Sequence, residues 1–364
     1  MKGFLLRFAL FLLLLALFGE LFFRYAVVAS NTAYKVLDPE FRILVDDTSG
    51  TRAGTYTLGR LAELRVPWRV NRQGWKSAAD YEPRHEGRKP VIALIGDSYI
   101  AGFQVEDAQH MTAVMEELLD HRWDVYSFGQ GGSCCSQFLQ VARYVRARFD
   151  PDVYVILCRD SDWGQSITQN ARDKNIWQIE WRDSVYAEVP PRFRAAWYRR
   201  LPKHSALVRY FSYNVNLDLL GSFRGGWSRP RPLIGRRAKA KPGSAPPVRA
   251  AMEHVVGRLR QEIPDRPVVF MYDALRDRVY WGKPPYSAYL LSILKDMAAK
   301  YEIPVFDLAP VFVADWNERH EKFSFAIDDH WTEHGHRVVA QGLFDFLISE
   351  GIVKDAGAGY EDSH

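Results

Sequence analysis

Val91-Ile-Ala-Leu-Ile95 is an unbroken apolar run that passes at once into Gly96-Asp97-Ser98. A strand without polar alternation is one buried on both faces, and a glycine at its end permits a tight turn. Similar runs recur at Val125 to Phe128, Val153 to Leu157, Pro267 to Met271 and Pro304 to Leu308. Helical spacing fills the intervals. Met111, Val114, Met115, Leu118 and Leu119 fall on one face, and residues 136–149, 247–262, 284–300 and 335–349 also read as helices. This alternation predicts an α/β fold, a three-layer α/β/α sandwich around a mostly parallel five-stranded sheet. Ligands of such sheets bind at the carboxyl ends of the strands, where Ser98 emerges.

With 364 residues, 47% hydrophobic and 25% charged, the chain excludes disordered and collagen-like classes. Three cysteines, Cys134, Cys135 and Cys158, are too few and too oddly grouped for a disulfide framework or a zinc ribbon. A bridge from Cys134 or Cys135 to Cys158 and free buried thiols both remain open. The net charge of +4 hides an asymmetry: residues 191–250 carry 14 Lys and Arg against the single acid Asp218.

At the N-terminus, Lys2 and Arg7 precede the uncharged stretch Phe8 to Gly19, and Glu20 interrupts before Leu21, Phe22, Phe23 and Arg24. That length suits a secretory h-region, and Val27 and Ala29 offer an imperfect cleavage site. The reading favours an uncleaved signal-anchor over residues 1–30, with Lys2 and Arg7 cytoplasmic and the rest of the chain extracytoplasmic. Residues 31–89 read as an irregular lead-in with a few strands. The main domain is expected over 90–350, with a basic insertion at about 164–250 and a tail at 351–364. Within the insertion, residues 221–248 are dense in Gly, Pro, Ser and Arg and read as a mobile loop.

Two blocks carry chemistry. Ser98 stands where free backbone N–H groups at a helix start can hold an oxyanion. Far downstream, Asp328-Asp-His330-Trp-Thr-Glu-His-Gly-His336 precedes the last helix, so an acid lies two residues before His330, placed to fix its tautomer. His334 and His336 read as helix-start or packing residues, and the run does not announce a zinc geometry.

Together these blocks resemble the SGNH/GDSL hydrolase superfamily, whose nucleophile lies in a Gly-Asp-Ser block after the first strand and whose acid and base share a C-terminal Asp-x-His or Asp-x-x-His block. The likeness spans about Val91 to Ile348, without the insertion. Ser-Phe-Gly129-Gln-Gly-Gly is similar to the family's second block, with the oxyanion-hole glycine at Gly129. Segments such as Val-Asn71-Arg-Gln-Gly74-Trp75 and Glu106-Asp107 resemble an envelope-anchored subgroup. One block departs: where relatives carry Gly-x-Asn-Asp, this chain has Arg159-Asp-Ser161-Asp162, leaving Ser161 as a weak third oxyanion donor.

The resemblance implies a serine esterase in which Ser98 attacks an acyl carbonyl, His330 moves the proton and Asp328 orients the ring. Backbone N–H groups of Ser98 and Gly129 would hold the negative charge, with no metal or cofactor. The expected substrate is an acylated carbohydrate, with acetyl esters of an envelope or exported polysaccharide favoured, or another small ester. The alternatives are an O-acyltransferase passing an acyl group to a glycan and a weakly catalytic binding subunit beside envelope glycan-assembly proteins. Trp197, Tyr198, Trp227 and the arginines of the insertion suit anionic lipid headgroups or an acidic polysaccharide, or form a plain solvated surface. Nucleic acid is not an expected partner.

Overall fold

A computed structural model of the protein describes residues 2–171, 173, 175–182, 185–192, 201–215, 248–284 and 288–354. The expected mobile loop at 221–248 lies outside them apart from Val248, as do Trp197, Tyr198, Trp227 and the tail beyond residue 354.

The chain opens with helix α1 (Lys2–Leu21), continued by a π-helical turn, Phe22–Ala26. None of its side chains is buried. Two antiparallel pairs follow where the sequence suggested irregular structure: β1 (Lys35–Leu37) with β2 (Leu44–Asp46), and the hairpin of β3 (Ala53–Leu58) and β4 (Leu64–Arg69).

The α/β body then runs through β5 (Val91–Gly96), α2 (Ser98–Ala101), α3 (Met111–Leu118), β6 (Asp124–Gly129), α4 (Cys135–Arg148), β7 (Val153–Cys158) and α5 (Asp160–Gln165). The insertion contributes a second hairpin, β8 (Gln178–Arg182) with β9 (Val185–Val189). Two short helices follow, α6 (Leu201–His204) and α7 (Ala206–Arg209), the latter continuing into a π-helical turn, Tyr210–Asn214. The body resumes with α8 (Val248–Glu262), β10 (Val268–Tyr272), α9 (Arg276–Tyr280), α10 (Ala288–Ala299), β11 (Val305–Asp307), α11 (Leu308–Arg319) and α12 (Glu333–Ser349).

The central sheet has the order β11-β10-β7-β5-β6, and every neighbouring pair is parallel. Strand alternation divides the core. Val91, Ala93, Ile95, Tyr154, Ile156 and Phe270 pack against α4, α8 and α10, whereas Ile92, Leu94, Val155, Leu157 and Val269 pack against α3, α11 and α12. Each fully buried aliphatic side chain contributes about 1.5–3 kcal/mol, so burial on both faces makes the sheet the rigid frame. The strand order reverses between β6 and β7 around β5, and that switch point sets Ser98 in the crevice at the carboxyl edge.

Candidate active site

Gly96 ends β5 because the chain must turn sharply into α2. A Cβ there would stand 2.5 Å from Ile100 Cγ1 and 3.0 Å from Leu157 Cβ. Asp97 caps the helix, its carboxylate accepting from the Tyr99 N–H at 3.0 Å, and Ser98 becomes the first helical residue. On the opposite side, the loop before α12 is held by a bridge between Ser324 and Trp331 and by Thr332, which caps that helix through the Gly335 N–H.

These two segments, 232 residues apart, meet. The Ser98 hydroxyl donates to His330 Nε2 at 2.6 Å, and His330 Nδ1–H lies 2.7 Å from both Asp328 oxygens. Burial would raise the Asp328 carboxyl, but the bond and charge of His330, helped by Gln104, hold it below the ordinary carboxylate value. A hydroxyl bonded to an imidazole that is oriented by a carboxylate can lose its proton as it attacks a carbonyl.

The glycine and serine of the remaining blocks stand differently. A Cβ on Gly129 would lie 2.0 Å from Ala101 N, so its lack of a side chain lets β6 abut the backbone of α2. It is Gly131 whose Cβ position would face Ser98 Cβ, at 3.7 Å. Ser161 donates its hydroxyl to Asp162 Oδ1 at 3.2 Å and is engaged within α5.

The three histidines of the last block have separate partners. His334 bonds Asp315 at 2.6 Å, and His336 is buried beside His110, with ring centroids 4.8 Å apart. Ligand-type atoms of Asp328, Asp329 and His330 lie within 4.8 Å of one another, yet both nitrogens of His330 are taken by Asp328 and Ser98. Cys134, Cys135 and Cys158 are free and buried.

Several supporting residues escaped sequence reasoning. Gln104 donates to Asp328 Oδ2 at 3.1 Å and to the Tyr56 hydroxyl at 3.3 Å. Burial, with the Asp328 charge, pushes Tyr56 up to about 12, so it remains neutral. Tyr99 packs its ring 4.7 Å from that of His330 and lies beside the guanidinium groups of Arg159 and Arg276, at 4.7 and 4.8 Å. Buried Arg276 bonds both oxygens of Asp273, the Tyr99 hydroxyl and the carbonyl of Asp329, tying the His330 loop to the end of β10. An Asp-x-x-Arg spacing just after a core strand was the one sequence signal for this clamp.

Asp97 and Asp162 are buried near one another and near Arg159. Burial first, and the Asp97 charge second, push Asp162 up to about 8. The folded state therefore keeps a proton that the unfolded chain releases near its ordinary value, and stability falls as pH rises from there to about 8. The buried His110 and His336 are shifted down, chiefly by burial, and their contribution is lost only as pH falls below about 6.5. Between pH 6.5 and 8 Asp97, raised by the same burial, shares this slope with Asp162. Urea midpoints should drop across that interval in the wild type and less steeply in Asp162→Asn; equal slopes would refute the assignment.

A family model described as the GDSL-like lipase/acylhydrolase family matches residues 94–338. No curated protein matches the sequence. Among solved structures, the chain is similar to an acetyl xylan esterase at 12% identity, covering 71% of this chain and 100% of that one, with a TM-score of 0.39. A lipase/acylhydrolase from Enterococcus faecalis matches at 12% identity over 72% and 96% of the two chains, TM-score 0.39. A two-domain esterase active on acetylated mannans matches at 12% identity over 72% and 49%, TM-score 0.38.

Proposed function

Because the chain belongs to the GDSL-like lipase/acylhydrolase family and is thereby a hydrolase, we propose that it is a membrane-anchored serine esterase removing O-acyl groups, acetyl above all, from an envelope or exported polysaccharide. The observation that carries the chemistry is the continuous line of hydrogen bonds from the Ser98 hydroxyl through His330 to Asp328. Ser98 attacks the ester carbonyl while His330 takes its proton. His330 then returns the proton to the leaving sugar hydroxyl, and water repeats the sequence on the acyl-serine. Asp328, held ionised, steadies the imidazolium. Backbone N–H groups of Ser98 and of the turn from Gly129 to Gly131 bind the oxyanion. The Gln130 N–H is committed to the Gly96 carbonyl at 3.0 Å, which leaves Gly129 and Gly131 as the donors of that turn. With Ser161 bonded to Asp162, the third donor is weak or missing, consistent with a modest catalyst.

The anchoring rests on residues 2–26, a helix whose most apolar 18-residue stretch has a mean hydropathy of 2.3, long and apolar enough to cross a membrane. Retention of this segment is favoured by what lies at its end. Glu20 accepts hydrogen bonds from the Ser205 hydroxyl and from the N–H groups of Ala206 and Leu207, and buried Ala29 and Ser30 pack into the body. Cleavage after Ala29 would discard the contacts of Glu20 and Ala29. The positive charges of Lys2 and Arg7 ahead of the apolar stretch support a catalytic domain on the extracytoplasmic side.

Full-length protein in detergent, given an acetylated oligosaccharide, should release acetate in proportion to enzyme, and Ser98→Ala should release none above background. Equal rates for the two proteins would refute the esterase, and acetyl groups appearing on an added unmodified oligosaccharide would identify a transferase instead.

A further inference from the structure

The juxtamembrane end of the anchor is joined to the catalytic loop by a short series of contacts. Phe23 stacks on Tyr210 with centroids 3.8 Å apart, and Arg24 donates to the carbonyl of His204 at 3.3 Å. The Tyr210 hydroxyl donates to the carbonyl of Arg60, at the tip of the β3–β4 hairpin, at 3.0 Å. Asn214, four residues on, bonds Thr57 and the carbonyl of Gly59, each at 3.0 Å, and accepts from the Ser30 N–H. On its far side the same turn meets the catalytic loop. A Cβ on Gly59 would lie 3.2 Å from Ile327 Cδ1, and Ile327 precedes Asp328. From β3 itself, Tyr56 reaches Gln104 and through it Asp328.

The surface so placed is unusual. Leu61 is 69% exposed and Ile327 52%, while Arg60 and Arg65 are exposed and have no ion-pair partner among the described residues. Exposed aliphatic groups flanked by arginines that lack an ion-pair partner suit the layer where lipid headgroups meet acyl chains. Continuity with the anchor selects that occupant over a soluble protein, because the turn is bonded to the very segment on which the anchor ends.

We propose that Arg60, Leu61 and Ile327 rest on the bilayer surface and that Ser98 takes its acyl group from an ester presented there. The inference depends on the anchored reading above. If the chain is anchored, the contacts through Tyr210 and Asn214 fix the tilt of the body and hold the mouth of the site toward the membrane, so an O-acylated glycan carried on a lipid reaches Ser98 without leaving the interface.

The test uses full-length protein in phosphatidylcholine–phosphatidylglycerol vesicles, with an NBD fluorophore on Leu61→Cys and, separately, on Leu12→Cys within α1. The native thiols are buried with pKa values raised by burial, which keeps them from the label. Lipids with a shallow nitroxide should quench the residue 61 probe at least twofold, and deep nitroxides should quench the residue 12 probe. Quenching at 12 without quenching at 61 would overturn the orientation and leave the anchor standing; no quenching at 12 would remove the anchor and this inference with it. In parallel, Leu61→Asp should lose about tenfold on a long-chain acetyl ester held in vesicles while keeping its rate on a soluble acetyl ester within twofold. Equal effects on both substrates would contradict the proposal.

Discussion

Ser98→Ala lowers kcat/KM for acetyl esters by about 10⁴ to 10⁶ while leaving the unfolding midpoint unchanged. The magnitude is that of removing a serine nucleophile from a site whose oxyanion donors and binding surface survive. The fold is expected to tolerate the change because Ser98 occupies the first position of α2, where the cap is supplied by Asp97 and not by the serine hydroxyl. His330→Ala should cost a similar factor, and the double variant should be little worse than either single one, since the two side chains act as one unit. Burst kinetics and steady-state rates on a chromogenic acetyl ester, with circular dichroism as the fold control, check this. A rate within tenfold of wild type in Ser98→Ala would place the nucleophile elsewhere.

The second large effect is expected at buried Arg276. Its guanidinium and the Asp273 carboxylate are both about 5% exposed and bonded through both carboxylate oxygens, and Arg276 also reaches Tyr99, Ser324 and the Asp329 carbonyl. Arg276→Ala strands a buried carboxylate, a change worth roughly 3–5 kcal/mol, and frees the loop that carries His330. Denaturant midpoints should fall accordingly, and kcat should fall at least tenfold with KM little altered. Adding Asp273→Ala separates the two consequences. Removing the uncompensated charge should restore much of the stability, whereas kcat should stay low because Tyr99 and the Asp329 carbonyl still lack their clamp. Recovery of kcat together with stability would show that Arg276 has only a structural role.

Why some of this was legible beforehand follows from burial. The strands of the central sheet are covered on both faces, so their residues form uninterrupted apolar runs, and the helices over them repeat at helical spacing. Helix α11 escaped notice because Pro310 sits near its start. In the first turn a proline displaces no intrahelical hydrogen bond, and Asp307 caps the helix through the Ala309 N–H. The antiparallel pairs before the main domain were reduced to a few strands because they are short and half-exposed. β1 has no fully buried residue, and β3 has one, Thr57.

At the site, the blocks that supply Ser98, Asp328 and His330 were readable since each is local. Gln104, Tyr56 and Arg276 were not, because their meaning arises only where segments far apart in the chain converge. The directions of the Ser161 hydroxyl, toward Asp162, and of Gly131, toward Ser98, likewise belong to the fold. Glu20 shows the same limit: an acid breaking an apolar segment looks like an interruption, yet it receives the first N–H groups of α7.

The most direct measurement of the central claim is covalent. A fluorophosphonate reacts with a serine hydroxyl only where a neighbouring base draws off its proton, and peptide mass mapping locates the adduct. The geometry calls for a single adduct on Ser98, absent in Ser98→Ala and formed at least a hundredfold more slowly in His330→Ala. An adduct on another residue, or labelling at wild-type speed without His330, would contradict it.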